Sequence, residues 1–396
     1  MKWNNLGHEY DDAYKQMCQK KTYYLFGAGD YGHQFYPVMQ DKIKIIGYID
    51  NDDRKVGKEI NGLPCISLAN AELSADVGII ITMSQIARVS AIEQIREMGL
   101  EKNRDYFLME EFISVYFAYQ FQQAVFSSIS FLPSTACNLN CRHCLNFNPF
   151  SSKFYIRELE QLKKDIDLFF QCIDRVMLFH VSGGETFLYP HIGEVVEYLH
   201  EKYGHRIDKL RMVTNGTVVP REAVLQSLST ADVEVTVDDY REALPGLADK
   251  FDQVVQGLNS YGIKHYTNKV DAWVDLGPDV TDYSDHCEKW LIRHRSECNQ
   301  NWQELRDGKL YSCNYAAYAV VTGKLGEQDT EETYDLHNFR KDKLKELIEF
   351  HLGYTEKGYT NFCKYCRGFT PQNLADKTPA VQSKDRDMAF MCNKRG

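Results

Sequence analysis

Cys137-Asn138-Leu139-Asn140-Cys141-Arg142-His143-Cys144 reads as CxxxCxxC and follows closely on the apolar, strand-like run Ile129-Ser130-Phe131-Leu132-Pro133. Three thiols fall within eight residues of one loop. That is one ligand short of a closed tetrahedral zinc site. It suits a [4Fe–4S] cubane in which three irons take Cys thiolates and the fourth stays open to a reactant.

Downstream of this loop, strand and helix alternate. A helix is expected over 156–172, then the strand Val176-Met177-Leu178-Phe179-His180-Val181, which ends in Ser182-Gly183-Gly184-Glu185. A helix over 192–203 leads to a strand over 209–213 that ends in Thr214-Asn215-Gly216. A helix over 222–228 leads to Val233-Glu234-Val235-Thr236-Val237-Asp238-Asp239. Such alternation implies a parallel sheet. Polar or glycine motifs stand at the C-terminal end of each strand, which is the functional face of a β/α barrel.

Composition sets the frame. A chain of 396 residues predicts two or three domains. Its 43% hydrophobic and 26% charged residues are those of a globular protein. A net charge of −10 argues against a nucleic-acid partner held by a broad basic surface. No apolar run approaches a membrane span, and 1–12 lack the apolar core of a signal peptide, so a cytoplasmic location is expected. Seven of the twelve cysteines fall in patterned groups, which points to metal or redox chemistry rather than a disulfide framework.

CNLNCRHC after one strand, with GGE closing the next, resembles the radical S-adenosylmethionine (SAM) superfamily. The resemblance implies a partial (β/α)6 barrel over 119–285 and a [4Fe–4S] cluster on Cys137, Cys141 and Cys144. It implies that the cofactor's amine and carboxylate chelate the open iron, with Gly183, Gly184 and Glu185 accepting from its ammonium. Thr236 and Asp238 match the polar strand end that faces the cofactor, and Asn215 is a weaker match on the same face. The implied chemistry is reductive cleavage of SAM to a 5′-deoxyadenosyl radical, fed by a flavodoxin- or ferredoxin-type donor. His143 stands where many members carry an aromatic residue.

Before the barrel, Tyr23-Tyr24-Leu25-Phe26 is expected as a strand. Gly27-Ala28-Gly29-Asp30-Tyr31-Gly32 follows, then a second strand over 43–49 that ends in Asp50. A third strand, 77–82, precedes a helix over 85–98. This is GxGxxG in a Rossmann-like open α/β sheet, placed over 1–118. Gly27, Gly29 and Gly32 would let backbone approach a phosphate, and Asp50 would accept from a ribose hydroxyl. The spacing fits a nucleotide-binding turn or one that only packs like one. FGAGDYG, IIGYIDND and KVGKEINGLPCIS resemble the N-terminal domain of bacterial sugar O-acyltransferases, which holds a nucleotide-linked sugar. Residues 104–126 read as an aromatic helix bridging the two regions.

A third region, 286–396, holds Cys298, Cys313, Cys363 and Cys366. Two spaced pairs of thiols fit a zinc ribbon or a second iron–sulfur cluster. Cys298-x9-Gly308-x4-Cys313 with a distant CxxC resembles the auxiliary-cluster domain of SPASM and twitch radical enzymes. The lack of closely following cysteines matches the smaller twitch form with one additional [4Fe–4S] cluster. Cys65 and Cys172 sit in apolar runs as core residues. Cys287 is expected as an ordinary buried thiol, and functionally is the candidate hydrogen-atom donor. Cys392 lies near the C-terminus, where order is least expected.

Together these resemblances imply a radical SAM oxidoreductase, requiring anaerobic handling, that oxidises or epimerises a small-molecule or nucleotide-linked sugar for surface polysaccharide. The rival readings are a peptide-modifying maturase and a non-enzymatic iron–sulfur scaffold.

Overall fold

The protein's structure, a computed structural model, describes residues 1–85, 87–269, 273–298, 302–326, 332–375 and 378–383. Cys392 lies outside the described residues.

Helix α1 (Asp11–Gln19) leads into strand β1 (Thr22–Phe26), helix α2 (Asp30–Met39) and strands β2 (Ile45–Ile49), β3 (Glu59–Ile60), β4 (Leu63–Ile66) and β5 (Val77–Ile81). Helix α3 (Arg88–Glu97), strand β6 (Tyr106–Leu108) and helix α4 (Met109–Phe121) complete the N-terminal region. The strands form one open sheet in the order β3-β4-β2-β1-β5-β6, parallel except for β3. The unbroken apolar run of β5 follows from its place between β1 and β6, where both faces are covered. Residues 104–126, expected as one helix, divide into β6, α4 and a short strand β7 (Val125–Phe126). Tyr106, Phe107 and Leu108 pair with Ile79, Ile80 and Ile81, so sheet extension prevails over helix periodicity there. The expected domain boundary at 118 falls inside α4.

The barrel region then runs β8 (Ile129–Phe131), α5 (Leu159–Cys172), β9 (Arg175–Val181), α6 (Ile192–Tyr203), β10 (Ile207–Thr214), α7 (Glu222–Thr230), β11 (Glu234–Asp238), α8 (Ala248–Ser260) and β12 (His265–Asn268). Strands β8 to β12 are parallel neighbours in sequence order, one crossover helix apart. Leu162, Ile166, Phe169 and Phe170 recur at helical spacing and bury α5 against this sheet.

Past β13 (Trp273–Val274) and α9 (Glu288–Glu297), the sheet continues. Strand β14 (Glu304–Arg306) pairs parallel with β8, Glu304 opposite Ser130, on the side of β8 away from β9. A tight Asp307-Gly308 turn, both residues at positive φ, folds β15 (Lys309–Tyr311) back on it, and β16 (Thr333–Asp335) follows. The sheet thus crosses the expected boundary at 285. Helices α10 (Asn314–Val321) and α11 (Leu344–His351) pack beside it, and β17 (Leu374–Ala375) pairs with β13. One continuous buried core joins Phe112 and Ile113 of α4, Val176 and Phe179 of β9, and Leu347 and Ile348 of α11. Cys65 and Cys172 are buried in it, as expected. Among the described residues, no helix is long and apolar enough to cross a membrane.

Candidate active site

The loop after β8 carries Cys137, Cys141 and Cys144, and its backbone is bound to the end of β9. Gly184 N–H donates to the Ser134 carbonyl at 3.0 Å and Glu185 N–H to the Ala136 carbonyl at 2.7 Å. A Cβ on Gly184 would stand 2.6 Å from the Ala136 carbonyl carbon, and one on Gly183 would strike the Ser134 carbonyl oxygen. The glycines therefore let one strand end lie against the cysteine loop. Cys137 Sγ accepts from Leu139 N–H at 3.4 Å, and Asn215 Nδ2 stands 3.8 Å away. Burial pushes the Cys141 thiol up to about 12 and the Cys137 thiol higher. Such thiols become ligands only against a cation that compensates deprotonation.

Glu185, expected to meet the cofactor's ammonium, has its carboxylate engaged elsewhere. It is fully buried and accepts from Phe187 N–H (3.0 Å), Thr214 Oγ1 (2.8 Å) and Asn215 N–H (2.7 Å). Burial, opposed by these three donors, pushes it up to about 7. The Gly183 carbonyl is taken by the Asn146 amide. The Gly184 carbonyl accepts no hydrogen bond among the described residues, so it is the group of this motif open to a ligand.

A cavity of about 420 Å³ opens above the strand ends. Cys137, Cys141, Cys144, Gly184, Asn215 and Asp238 wall one side. Asp238 accepts from Asn268 Nδ2 at 2.7 Å and Tyr240 OH at 2.9 Å, and burial raises its pKa. Thr236 lies one pleat deeper, its hydroxyl buried without a partner among the described residues, and does not wall the cavity. Asn148 does wall it, and both its side-chain polar atoms are buried with no hydrogen bond among the described residues. The volume, the buried unpaired polar atoms and the three-thiol loop fit SAM beside a [4Fe–4S] cluster.

The other wall was not expected from sequence. His180, Ser130, Ser182 and Tyr318 face the cavity. Burial pushes the His180 imidazole down to about 3, so it stays neutral, and its Nδ1 has no partner among the described residues. Ser130 Oγ lies 2.9 Å from Tyr318 OH, and Tyr318 OH donates to Glu304 Oε2 at 3.4 Å. Glu304 also accepts from Leu132 N–H at 2.9 Å. Burial pushes its carboxyl up to about 7.

Cys298, Cys313, Cys363 and Cys366 surround one small neighbouring cavity. Phe369 N–H donates to Cys298 Sγ at 3.2 Å and Gly368 N–H to Cys366 Sγ at 3.3 Å. Tyr315 and Phe369 wall both this cavity and the large one. Asp275 bridges the two cysteine loops: Oδ1 is 3.0 Å from His143 Nδ1, and Oδ2 accepts from Arg367 Nη1 at 3.0 Å. Residues 380–383 cross the first loop, with Gln382 Nε2 donating to Cys141 Sγ at 3.3 Å and Gln382 Oε1 accepting from Asn140 N–H at 2.7 Å.

Two expectations are corrected. Cys287, expected as a buried thiol or a hydrogen donor, is exposed at the start of α9 and walls neither cavity. Its neighbours Asp285, His286, Glu288 and Lys289 keep that turn in solvent. Asp50, expected to meet a ribose, is 8% exposed and accepts from Ala28 N–H, Asp52 N–H and Lys55 Nζ at 2.8, 2.9 and 3.0 Å. It holds the glycine turn closed on itself. Gly27 and Gly32 likewise serve close packing: a Cβ on Gly27 would lie 2.5 Å from the Thr82 carbonyl oxygen, and one on Gly32 would strike the Gly27 carbonyl. Gly29 borders open space.

The Radical SAM superfamily model matches residues 131–268. The antilisterial bacteriocin subtilosin biosynthesis protein AlbA of Bacillus subtilis (strain 168) is 32% identical over 102 residues, 26% of this chain and 21% of that protein. The chain thus matches about a fifth of that relative's length. Among solved structures, BtrN in complex with AdoMet and 2-DOIA is similar with TM-score 0.39 and 17% identity, over 65% of this chain and 98% of that one. The anSMEcpe structure with bound AdoMet and Cp18Cys peptide has TM-score 0.37 and 14% identity, over 64% and 93%. Residues 131–268, with the three-cysteine loop and GGE at adjacent strand ends, form a radical SAM superfamily domain, a domain that binds S-adenosylmethionine and a [4Fe–4S] cluster.

Proposed function

We propose that the protein is a radical SAM oxidoreductase that dehydrogenates an alcohol carbon of a sugar, nucleotide-linked, in surface polysaccharide synthesis. The observation that carries this reading is the position of the large cavity between two cysteine sites. Cys137, Cys141 and Cys144 wall one end, and Tyr315 and Phe369 separate the other from Cys298, Cys313, Cys363 and Cys366. The four thiols line one small cavity, and a second iron–sulfur cluster held there would accept the electron.

When bound, SAM and its cluster supply a carbon radical that takes a hydrogen atom from an unactivated C–H bond. The chain's own groups complete a two-electron oxidation. The carbinol carbon loses a hydrogen atom, the hydroxyl loses a proton, and one electron must leave for a ketone to form. Ser130 and Tyr318 lead from the cavity to Glu304, which receives the proton. The Tyr315–Phe369 wall is the short path for the electron to the second cysteine site. In this reading residues 1–118 serve the substrate, 119–285 the radical and 286–396 the electron acceptor. The sugar class rests on the N-terminal strand–glycine turn–helix unit and its resemblance. Epimerisation would need a hydrogen donor in the cavity, and exposed Cys287 is not placed there.

A second reading, modification of a peptide, is favoured by the 32% identity to a bacteriocin biosynthesis protein. Anaerobic reconstitution and turnover with deuterated nucleotide sugars separates the two. Iron near about eight per chain and deuterium in 5′-deoxyadenosine from one sugar are expected. Iron near about four per chain together with bound zinc would remove the electron acceptor.

A further inference from the structure

A second cavity, of about 180 Å³, lies where the N-terminal sheet meets the barrel. On one side it is walled by Tyr31 and Gln34 of α2 and by Gln85 of the loop after β5. That is the crevice outside the C-terminal ends of β1 and β5, where the connections reverse direction across the sheet. On the other side stand Ser127 and Ser128, just before β8. Gln85, Trp302 and Phe369 wall this cavity and the large one alike, so the two spaces adjoin. Trp302 in turn meets His180 edge-on, with ring centroids 5.1 Å apart.

The chemistry of the wall is specific. Among the described residues, the side chains of Gln34, Gln85, Ser127 and Ser128 make no hydrogen bond. Two amides and two hydroxyls, each both donor and acceptor, match the alternating needs of neighbouring hydroxyl groups on a ring. The charged pair in the wall, Arg88 and Glu110, is a buried ion pair, each partner meeting the other's charge. The wall therefore offers hydrogen bonds without a free charge. That suits a neutral polyhydroxylated group better than a phosphate or a peptide terminus.

We propose that this junction cavity is the outer subsite of the substrate. It takes an uncharged polyhydroxylated ring of the substrate other than the unit that reacts, with Gln34 and Gln85 as positioning residues. The proposal rests on the sugar reading above and moves the N-terminal region's contribution from Asp50 to the face turned toward the barrel. Such a ring is either the ribose of a nucleotide sugar or the second unit of a disaccharide.

The test uses full-length protein, reconstituted anaerobically and loaded with SAM. It is offered nucleotide monosaccharides in one arm and neutral disaccharides in the other. Hydrogen exchange of peptides containing Gln34, Gln85 and Ser127 is expected to slow at least threefold with the ligand that binds, and the arm showing it identifies the ring. Gln34→Leu and Ser127→Ala are each expected to raise KM about tenfold, with a smaller change in kcat, as for an interaction present equally in ground and transition states. A sugar that delivers deuterium to 5′-deoxyadenosine, yet protects none of these peptides and shows an unmoved KM in both variants, overturns the subsite and leaves the sugar reading standing. Protection without deuterium transfer supports the subsite and removes the sugar as the reacting unit. Neither protection nor transfer from any sugar overturns both.

Discussion

Replacing Gly184 with Ala tests whether the glycine pair exists to hold the cysteine loop. An added Cβ would lie 2.6 Å from the Ala136 carbonyl carbon and closer still to the Ala136 and Thr135 oxygens. All of these are backbone atoms, so no side chain can rotate away. Relief requires the loop to retreat from β9, which stretches Gly184 N–H to Ser134 O and Glu185 N–H to Ala136 O. Overpacking of this kind costs about 1–3 kcal/mol, and each weakened hydrogen bond about 1 kcal/mol. The sum is about 3–5 kcal/mol. At an unfolding entropy of about 0.8 kcal/mol/K for a chain of this length, that lowers Tm by about 4–6 °C. Cys137 directly follows Ala136, so the displaced loop also loses the geometry of its thiols. Scanning calorimetry of the reconstituted protein, together with iron analysis and low-temperature EPR, reads both effects. The expected result is loss of the signal of the three-cysteine site with retention of the signal from Cys298, Cys313, Cys363 and Cys366. Gly246→Ala, where a Cβ meets nothing within 4 Å, is the control. A Gly184→Ala protein with full iron and Tm within about 1 °C of wild type would refute the packing role and return the glycines to direct service of the cofactor.

Glu304 has its folded pKa raised to about 7 from 4.5 by burial, so its contribution is fully present below pH 4.5 and is lost as pH rises toward 7. Glu304→Gln is therefore expected to flatten the decline of stability between those values, by at most about 1.4 kcal/mol per pH unit; in turnover it should also remove a rise in rate centred near pH 7, and an unchanged profile would sink the proton path. Asp275→Ala leaves His143 and Arg367 without their shared carboxylate, so chelator should strip iron faster from both cysteine sites at a cost of about 1–3 kcal/mol in stability; faster loss from one site only would contradict the bridge. Gln382→Ala removes a hydrogen bond to Cys141 Sγ and is expected to lower the midpoint potential of the first cluster in an EPR redox titration, because such bonds stabilise the more negative, reduced state.

The parts that a local pattern can carry were legible in the sequence. The crossover helices and strands around the barrel follow period and length, and the helix at Ile192–Tyr203 begins and ends where its apolar spacing does. CxxxCxxC and GGE are local, and so was the inference of a shared site. The use made of Glu185 was not legible, because its partners Thr214 and Asn215 lie a whole crossover away. Asp50 failed for a similar reason: the donors it meets include the backbone of the very turn it was expected to serve. A usable signal for the missed wall did exist. Asp307-Gly308 between Glu304-Leu305-Arg306 and Lys309-Leu310-Tyr311 is a two-residue hairpin signature, and reading it would have placed a strand pair before α10.

That hairpin explains why the regions on either side of 285 act as one piece. Strand β14 is joined to the barrel edge through Glu304 opposite Ser130, and its neighbour α10 begins directly after Cys313. The same short stretch therefore sets Glu304 behind the cavity, Tyr318 in its wall and Cys313 beyond Tyr315. A shift of this hairpin by one residue would turn Glu304 to the opposite face of the sheet and move the cysteine with it. Asp165 guards against that slip: its two carboxylate oxygens accept from Asp307 N–H at 2.7 Å and Gly308 N–H at 2.9 Å, fixing the turn to α5. The Arg157 guanidinium pairs with the same buried carboxylate, and Arg157 itself lies on the segment that returns from the three-cysteine loop. The register of the proton path and the position of the second cysteine site are thus held by one buried carboxylate anchored to the loop that carries the first.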